Sequence, residues 1–174
     1  MLAEWHEFYA LLGGSAAALL SLLFVVASIG ASAMTPETAG GTRTFMSPVA
    51  FHYANVLFLS LITLIPVQTW ESFGLTIGIA AAGSIVYSLV ILVRVLRDSR
   101  ADMIDNFAYG AVPAVCYAAG LVSSVLILKE SPVGLNVLAG AALALLVVNI
   151  RNAWDLMLSM ARRSAAQRRK ESET

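Results

Sequence analysis

A chain of 174 residues that is 59% hydrophobic and 13% charged, with a mean hydropathy of +0.79, lies outside the usual balance of a water-soluble domain. Its natural solvent is a lipid bilayer. Eleven Lys and Arg against eleven Asp and Glu exclude a chain whose overall charge would recruit nucleic acid, and the single cysteine, Cys116, has no intrachain disulfide partner.

Five apolar runs of about 20 residues follow in order, each enough to cross roughly 30 Å of hydrocarbon at 1.5 Å per residue. The first is predicted near 8–31. Its leader "MLAEWHE" holds two acidic residues and no basic one, which argues against a cleaved signal peptide although Ala31-Ser32-Ala33 resembles a cleavage site. "TPETAGGTRT" then reads as turn chemistry. The second span, 48–67, is predicted to open at Ser47-Pro48, serine as N-cap and proline as first helical residue, and to close near Pro66. The third is predicted at 72–95. The fourth, 108–128, contains Pro113 and is expected to kink there, and the fifth, 132–154, opens at Ser131-Pro132. The tail "ARRSAAQRRKESET" should continue the last helix and then fray, its basic half within reach of anionic head groups. The expectation is an all-α polytopic bundle, a transmembrane domain over 1–160 followed by a basic cytoplasmic tail over 161–174.

Basic residues set the expected direction, because Lys and Arg are retained on the cytoplasmic side. Connections on one side of the layer, with the tail, hold nine: Arg43, Arg94, Arg97, Arg100, Arg162, Arg163, Arg168, Arg169 and Lys170; the other side holds only Lys129. This predicts an external N-terminus, a cytoplasmic C-terminus and an odd number of spans, in a bacterial inner membrane.

Small residues at four-residue spacing allow helix backbones to approach in lipid. The third span offers Gly74, Gly78 and Ala82, the fourth Gly110, Ala114 and Ala118, the fifth Gly140 and Ala144, and the first carries "GGSAAA" from Gly13. Two readings stand equally: all these faces pack within the bundle, or a remaining one serves a homo-oligomer or another membrane protein.

Polar residues in the spans are few. In "VVNIRNAWDL" the side chains of Asn149, Arg151, Asn152 and Asp155 fall on one arc of the fifth helix, with Arg151 and Asp155 at i, i+4. His52, Tyr53 and Asn55 of the second span, and Asp105, Asn106 and Tyr109 of the fourth, are expected at similar depth, building a cytoplasmic-side polar layer. Its bland reading is an ion pair buttressed by amides; its functional readings are a gate or a partner-docking face. On the outward side Glu4, His6, Glu7, Glu71 and Glu130 are expected as solvated residues beside Trp5 and Trp70, with a cation site as the less favoured reading.

His6 and His52 lie on opposite sides and cannot ligate one haem together. No H-E-x-x-H, Walker or G-x-G-x-x-G motif occurs, so neither enzyme activity nor a cofactor or metal is expected. The spans carry no ionisable midplane site of the kind coupled transporters use. A passive pore built from several copies survives that test.

The opening "EWHEFYALLGGSAAALLSLLFVVASI" resembles small bacterial multi-pass membrane proteins that begin Trp-His-acidic-Phe and continue into a small-residue-rich first span, carried here by Trp5, His6, Glu7 and Phe8. Some of these bear the label "modulator of FtsH protease", which implies a regulatory partner of a membrane protease. The expected function is non-enzymatic, acting by self-association or as an accessory subunit of another membrane protein. The alternative is a homo-oligomeric channel whose cytoplasmic mouth is lined by His52, Asn55, Asn149 and Arg151.

Overall fold

A computed structural model describes residues 2–31, 36–97 and 110–172, and within them the protein is helical with no strand. A single 3-10 turn, Ala3–Trp5, leads into α1 (His6–Ala31); α2 (Pro36–Thr63), α3 (Trp70–Arg97), α4 (Val112–Leu128) and α5 (Val133–Ser172) follow. Three of these hold stretches long and apolar enough to cross a membrane: Ala3–Ser28, Trp70–Val93 and Val133–Ser159. Ser47–Thr63 in α2 and all of α4 are shorter apolar helices.

Helix ends follow local chemistry. Thr69 caps α3, its Oγ1 accepting the Ser72 N–H at 3.1 Å while Ser72 Oγ accepts the Thr69 N–H at 3.3 Å. At the end of α4, Ser131 N–H reaches Leu126 O at 3.0 Å and Glu130 N–H reaches Ile127 O at 2.8 Å, with Glu130 at φ 56°. That is a Schellman stop with glutamate in the left-handed position usually given to glycine. α5 begins at Val133, one residue after Pro132, which the sequence predicts as the first helical residue.

One expectation fails. Ser47-Pro48 does not start a helix, because α2 already begins at Pro36 and carries Pro48 inside it, so most of "TPETAGGTRT" is helical rather than turn. Pro36 is the first residue of α2, where a missing N–H leaves no intrahelical bond unmade, and an interior proline such as Pro48 removes one bond without ending a helix that its neighbours support. Pro113 is the second residue of α4 and follows π-helical Gly110 and Ala111, and the residues before these, 98–109, lie outside the described residues. Ser32 and Ala33 of the cleavage-site resemblance lie outside the described residues, as do Asp105, Asn106 and Tyr109.

One apolar cluster fixes the relative directions. Leu2, Phe73, Ile127, Leu135 and Leu138 pack together with Trp5, Leu59, Ile62 and Trp70 around them. This gathers the starts of α1, α3 and α5 and the ends of α2 and α4 at one end of the bundle, here the near end. So α1, α3 and α5 run one way and α2 and α4 return. A second, larger cluster, including Tyr9, Leu12, Ala16, Val49, Val56, Cys116, Leu145 and Leu146, joins α1, α2, α4 and α5. The tightest pairings are α3 with α4, α1 with α2 and α4 with α5, while α2 and α3, although consecutive, touch only lightly.

Glycines mark the close approaches. A Cβ on Gly13 would stand 2.7 Å from Ser60 Cβ, on Gly74 2.8 Å from Leu128 Cγ, on Gly78 2.6 Å from Ser124 Oγ and on Gly110 2.5 Å from Leu92 Cδ1. The α1–α2 and α3–α4 pairs therefore depend on hydrogen atoms at these positions. Gly140 meets nothing within 4 Å, and Ala82, Ala118 and Ala144 are exposed, with Ala114 half-buried. Of the small residues expected to pack, Gly74, Gly78 and Gly110 are used inside the bundle and Ala82, Gly140 and Ala144 face away from it. Large apolar side chains share that outer surface, among them Leu11 at 73% exposure, Ile79 at 75% and Val115 at 67%. A surface of this kind is compatible with a hydrocarbon surround and poorly suited to water.

Candidate functional site

The interior polar residues divide into two levels. Along α2, α3 and α4, at about 10–17 Å from the near-end cluster by helix rise, a network joins three helices. His52 Nδ1 lies 2.8 Å from the Tyr117 hydroxyl, which also interacts with Ser84. Ser84 Oγ donates to Asn55 Oδ1 at 2.9 Å, and Asn55 Nδ2 donates to Phe51 O one turn back at 2.9 Å. The Phe51 ring stacks on Tyr87 with centroids 4.0 Å apart. His52 and Ser84 are buried, and the network contains no carboxylate, lysine or arginine. Its donors and acceptors are largely spent on one another, which fixes the rotational settings of α2, α3 and α4.

The second level lies on α5, about 21–30 Å from Leu135. Asn149 Nδ2 donates to Val49 O at 2.8 Å, tying α5 to α2. Arg151 pairs with Asp155 at 3.0 Å with both side chains more than a third exposed, and Arg151 also reaches Asn152 Oδ1 at 3.3 Å. Asn149 and Asn152 are buried at 1%. The expected single arc is thus split: the asparagines turn inward while the ion pair looks outward. Tyr53, expected in the same layer, points elsewhere, into the contact between α1, α2 and α5.

Several buried polar atoms have no hydrogen-bond partner among the described residues, namely the hydroxyls of Tyr9, Tyr53 and Ser88, His52 Nε2 and Asn149 Oδ1. Beside the network, where α2 and α3 hardly touch, a cavity of about 60 Å³ has walls of small and apolar side chains, including Ala81, Gly120, Leu138 and Ala142, with Cys116 and Tyr117 at one edge. Its few polar groups already have partners, so it is an apolar recess.

At the near end Glu4, His6, Glu7, Glu71 and Glu130 are exposed, and Trp5 packs edge-on to Phe8 at 5.9 Å. No group of three or more His, Cys, Asp or Glu arranged to hold a metal ion occurs among the described residues.

The sequence reading passed over four side chains that do much of the interhelical bonding. Tyr117 and Ser84 complete the network; Ser123 Oγ donates to Gly134 O and Ser124 Oγ to Gly74 O, each at 2.7 Å. Their signal was available as a tyrosine and a serine pair inside an otherwise apolar run. Compared with protein-family models, curated proteins and solved structures, the chain matches none.

Proposed function

We propose that this chain is a five-span membrane bundle, with its N-terminus outside and its basic tail in the cytoplasm of a bacterium, that acts by associating with itself or with another membrane protein. The parallel run of α1, α3 and α5, with the shorter apolar helices α2 and α4 returning between them, supports the five-span reading. The excess of Lys and Arg at the far end supports the direction.

The observation that carries the association reading is the set of small residues left outside the bundle's own packing. Ala10, Gly14 and Ala18 form an exposed i, i+4, i+8 row on α1, and Gly140 and Ala144 form a second on α5. In lipid, such rows are where another helix comes close. The half-exposed Arg151–Asp155 pair on α5 adds a polar contact for a partner, and a membrane protease complex of the sort suggested by the opening residues is one candidate. A channel mouth lined by His52, Asn55, Asn149 and Arg151 is less well supported, because His52 and Asn149 are buried and bonded within one chain.

Two measurements test this. In a Cys116→Ala background, a membrane-impermeant thiol reagent added to intact cells should label Glu4→Cys and not Ala165→Cys; the reverse pattern overturns the orientation. Native mass spectrometry in nanodiscs should give an oligomer, or a complex captured from native membranes, that Gly14→Leu or Gly140→Leu weakens. A monomer with no captured partner, or complexes indifferent to both changes, overturns the association reading.

A further inference from the structure

The polar network of α2, α3 and α4 begins and ends on neighbouring residues of one helix, Phe51 and His52, and the groups between them have few protons to share. Counting those protons decides which nitrogen of the His52 ring carries hydrogen.

The count starts at a group that can only accept. The Phe51 carbonyl takes a hydrogen bond from Asn55 at 2.9 Å, so the amide nitrogen of Asn55 faces it and the amide oxygen faces Ser84. That oxygen also only accepts. Ser84 Oγ, 2.9 Å away, therefore donates its single proton there and meets every other neighbour as an acceptor. Another neighbour is the Tyr117 hydroxyl, which meets both Ser84 and His52 Nδ1, the latter at 2.8 Å. Having one proton, it gives it to Ser84 Oγ and receives one from the ring. Each donor thus points the same way round a loop that leaves α2 at His52, passes through α4 and α3, and returns to α2 at Phe51.

The opposite setting strands a proton. If Tyr117 donated to Nδ1, the ring hydrogen would sit on Nε2, a buried atom with no partner among the described residues. A buried N–H without an acceptor is rarer in native structures than an acceptor without a donor. Protonating both nitrogens would place a charge on a ring that is 1% exposed, beside a network holding no carboxylate.

We infer that His52 is held as the neutral Nδ1–H tautomer by a one-way hydrogen-bond relay anchored on the Phe51 carbonyl, which leaves Nε2 as a bare acceptor inside the bundle. A group that meets Nε2 there has to bring a proton, as the O–H of water or of a hydroxyl does, and a carbonyl or carboxylate is refused. The inference rests on contacts within one chain and stands independently of the association reading.

The test is magic-angle-spinning NMR of the full chain in lipid vesicles or detergent, isotope-labelled at the histidine ring nitrogens and carrying His6→Gln, so that His52 gives the only ring signals. At neutral pH the proton should be on Nδ1, this form exceeding the Nε2–H form by roughly fivefold or more, the ratio set by one unpaired buried N–H. Ser84→Ala takes away the acceptor of the Tyr117 proton. Either tautomer then strands one donor, so the two forms should come within about threefold of each other. Ser84→Thr, which keeps the hydroxyl, should retain the original ratio. A proton on Nε2, or on both nitrogens, in the protein with its network intact overturns the inference by itself, whether or not the variants fold. An Nδ1–H form equally dominant in Ser84→Ala, or lost alike in Ser84→Ala and Ser84→Thr, overturns the relay as its cause.

Discussion

The contact between α3 and α4 can be tested at Gly78. A methyl group built there would stand 2.6 Å from Ser124 Oγ and 3.5 Å from Ser124 Cβ. Ser124 is short and buried, and its hydroxyl is engaged with Gly74 O at 2.7 Å, so it can yield only by rotating Oγ away and giving up that bond. The lost hydrogen bond is worth about 1 kcal/mol. Overpacking adds roughly 1–3 kcal/mol, against a gain of up to about 1 kcal/mol from replacing glycine by alanine inside a helix. Gly78→Ala should therefore destabilise the protein by about 1–3 kcal/mol, a fall in Tm of roughly 2–12 °C for a chain of this size. Cys116 makes the assay simple, because the only cysteine is buried and a thiol-reactive dye reports its exposure on heating. Gly140→Ala is the control, having nothing within 4 Å, and should be neutral or slightly stabilising. The decisive comparison is in a Ser124→Ala background, where the closest remaining neighbour is the Ser124 Cβ position at an ordinary 3.5 Å. There Gly78→Ala should no longer be destabilising. The same loss in both backgrounds would refute a contact made through Ser124 Oγ.

Asp155→Asn should cost less than about 1 kcal/mol, since the Arg151–Asp155 pair is 40% and 38% exposed and such pairs are weak; a fall in Tm beyond roughly 5 °C in the same dye assay would mean the pair is buried against something in the native state. Glu130→Gly should stabilise by about 1 kcal/mol, because glutamate pays for a φ of 56° that glycine adopts freely. A Tm rise of roughly 2–4 °C checks it, and an unchanged or lowered Tm contradicts the Schellman geometry.

Sequence carried the helical class, the approximate position of each apolar run and the start of α5, because length, hydropathy and proline punctuation act locally. It misplaced the start of α2: Gly40, Gly41 and Pro48 are poor helix formers by themselves, yet α2 runs through all three. Faces were harder than lengths. Gly74 and Gly140 belong to similar four-residue repeats, but one lies against Leu128 and the other against nothing, a difference set by which helices become neighbours. Helices apolar all round give no stripe to show their orientation. The polar layer was half legible for the same reason: the arc from Asn149 to Asp155 follows from 100° per residue, whereas the division between buried amides and an outward ion pair depends on where α2 lies. Tyr117 as the partner of His52 was not legible, because 65 residues separate them.

That separation has a consequence for biosynthesis. The bond from Asn149 to Val49 spans 100 residues, so at roughly 5–20 residues per second a ribosome needs about 5–20 s after making Val49 to supply its partner. Throughout that interval α2 has α1 beside it, but the amide that meets the Val49 carbonyl has not been synthesised, and Tyr117, which meets His52, is made only after about two-thirds of it. The hairpin of α1 and α2 is therefore made well before the helix that closes it, and the last helix made is the one that ties back to α2. A ribosome that stops before α5 therefore leaves α2 without the Asn149 tie, so the longest-range fastening described between these helices is also the last to be made.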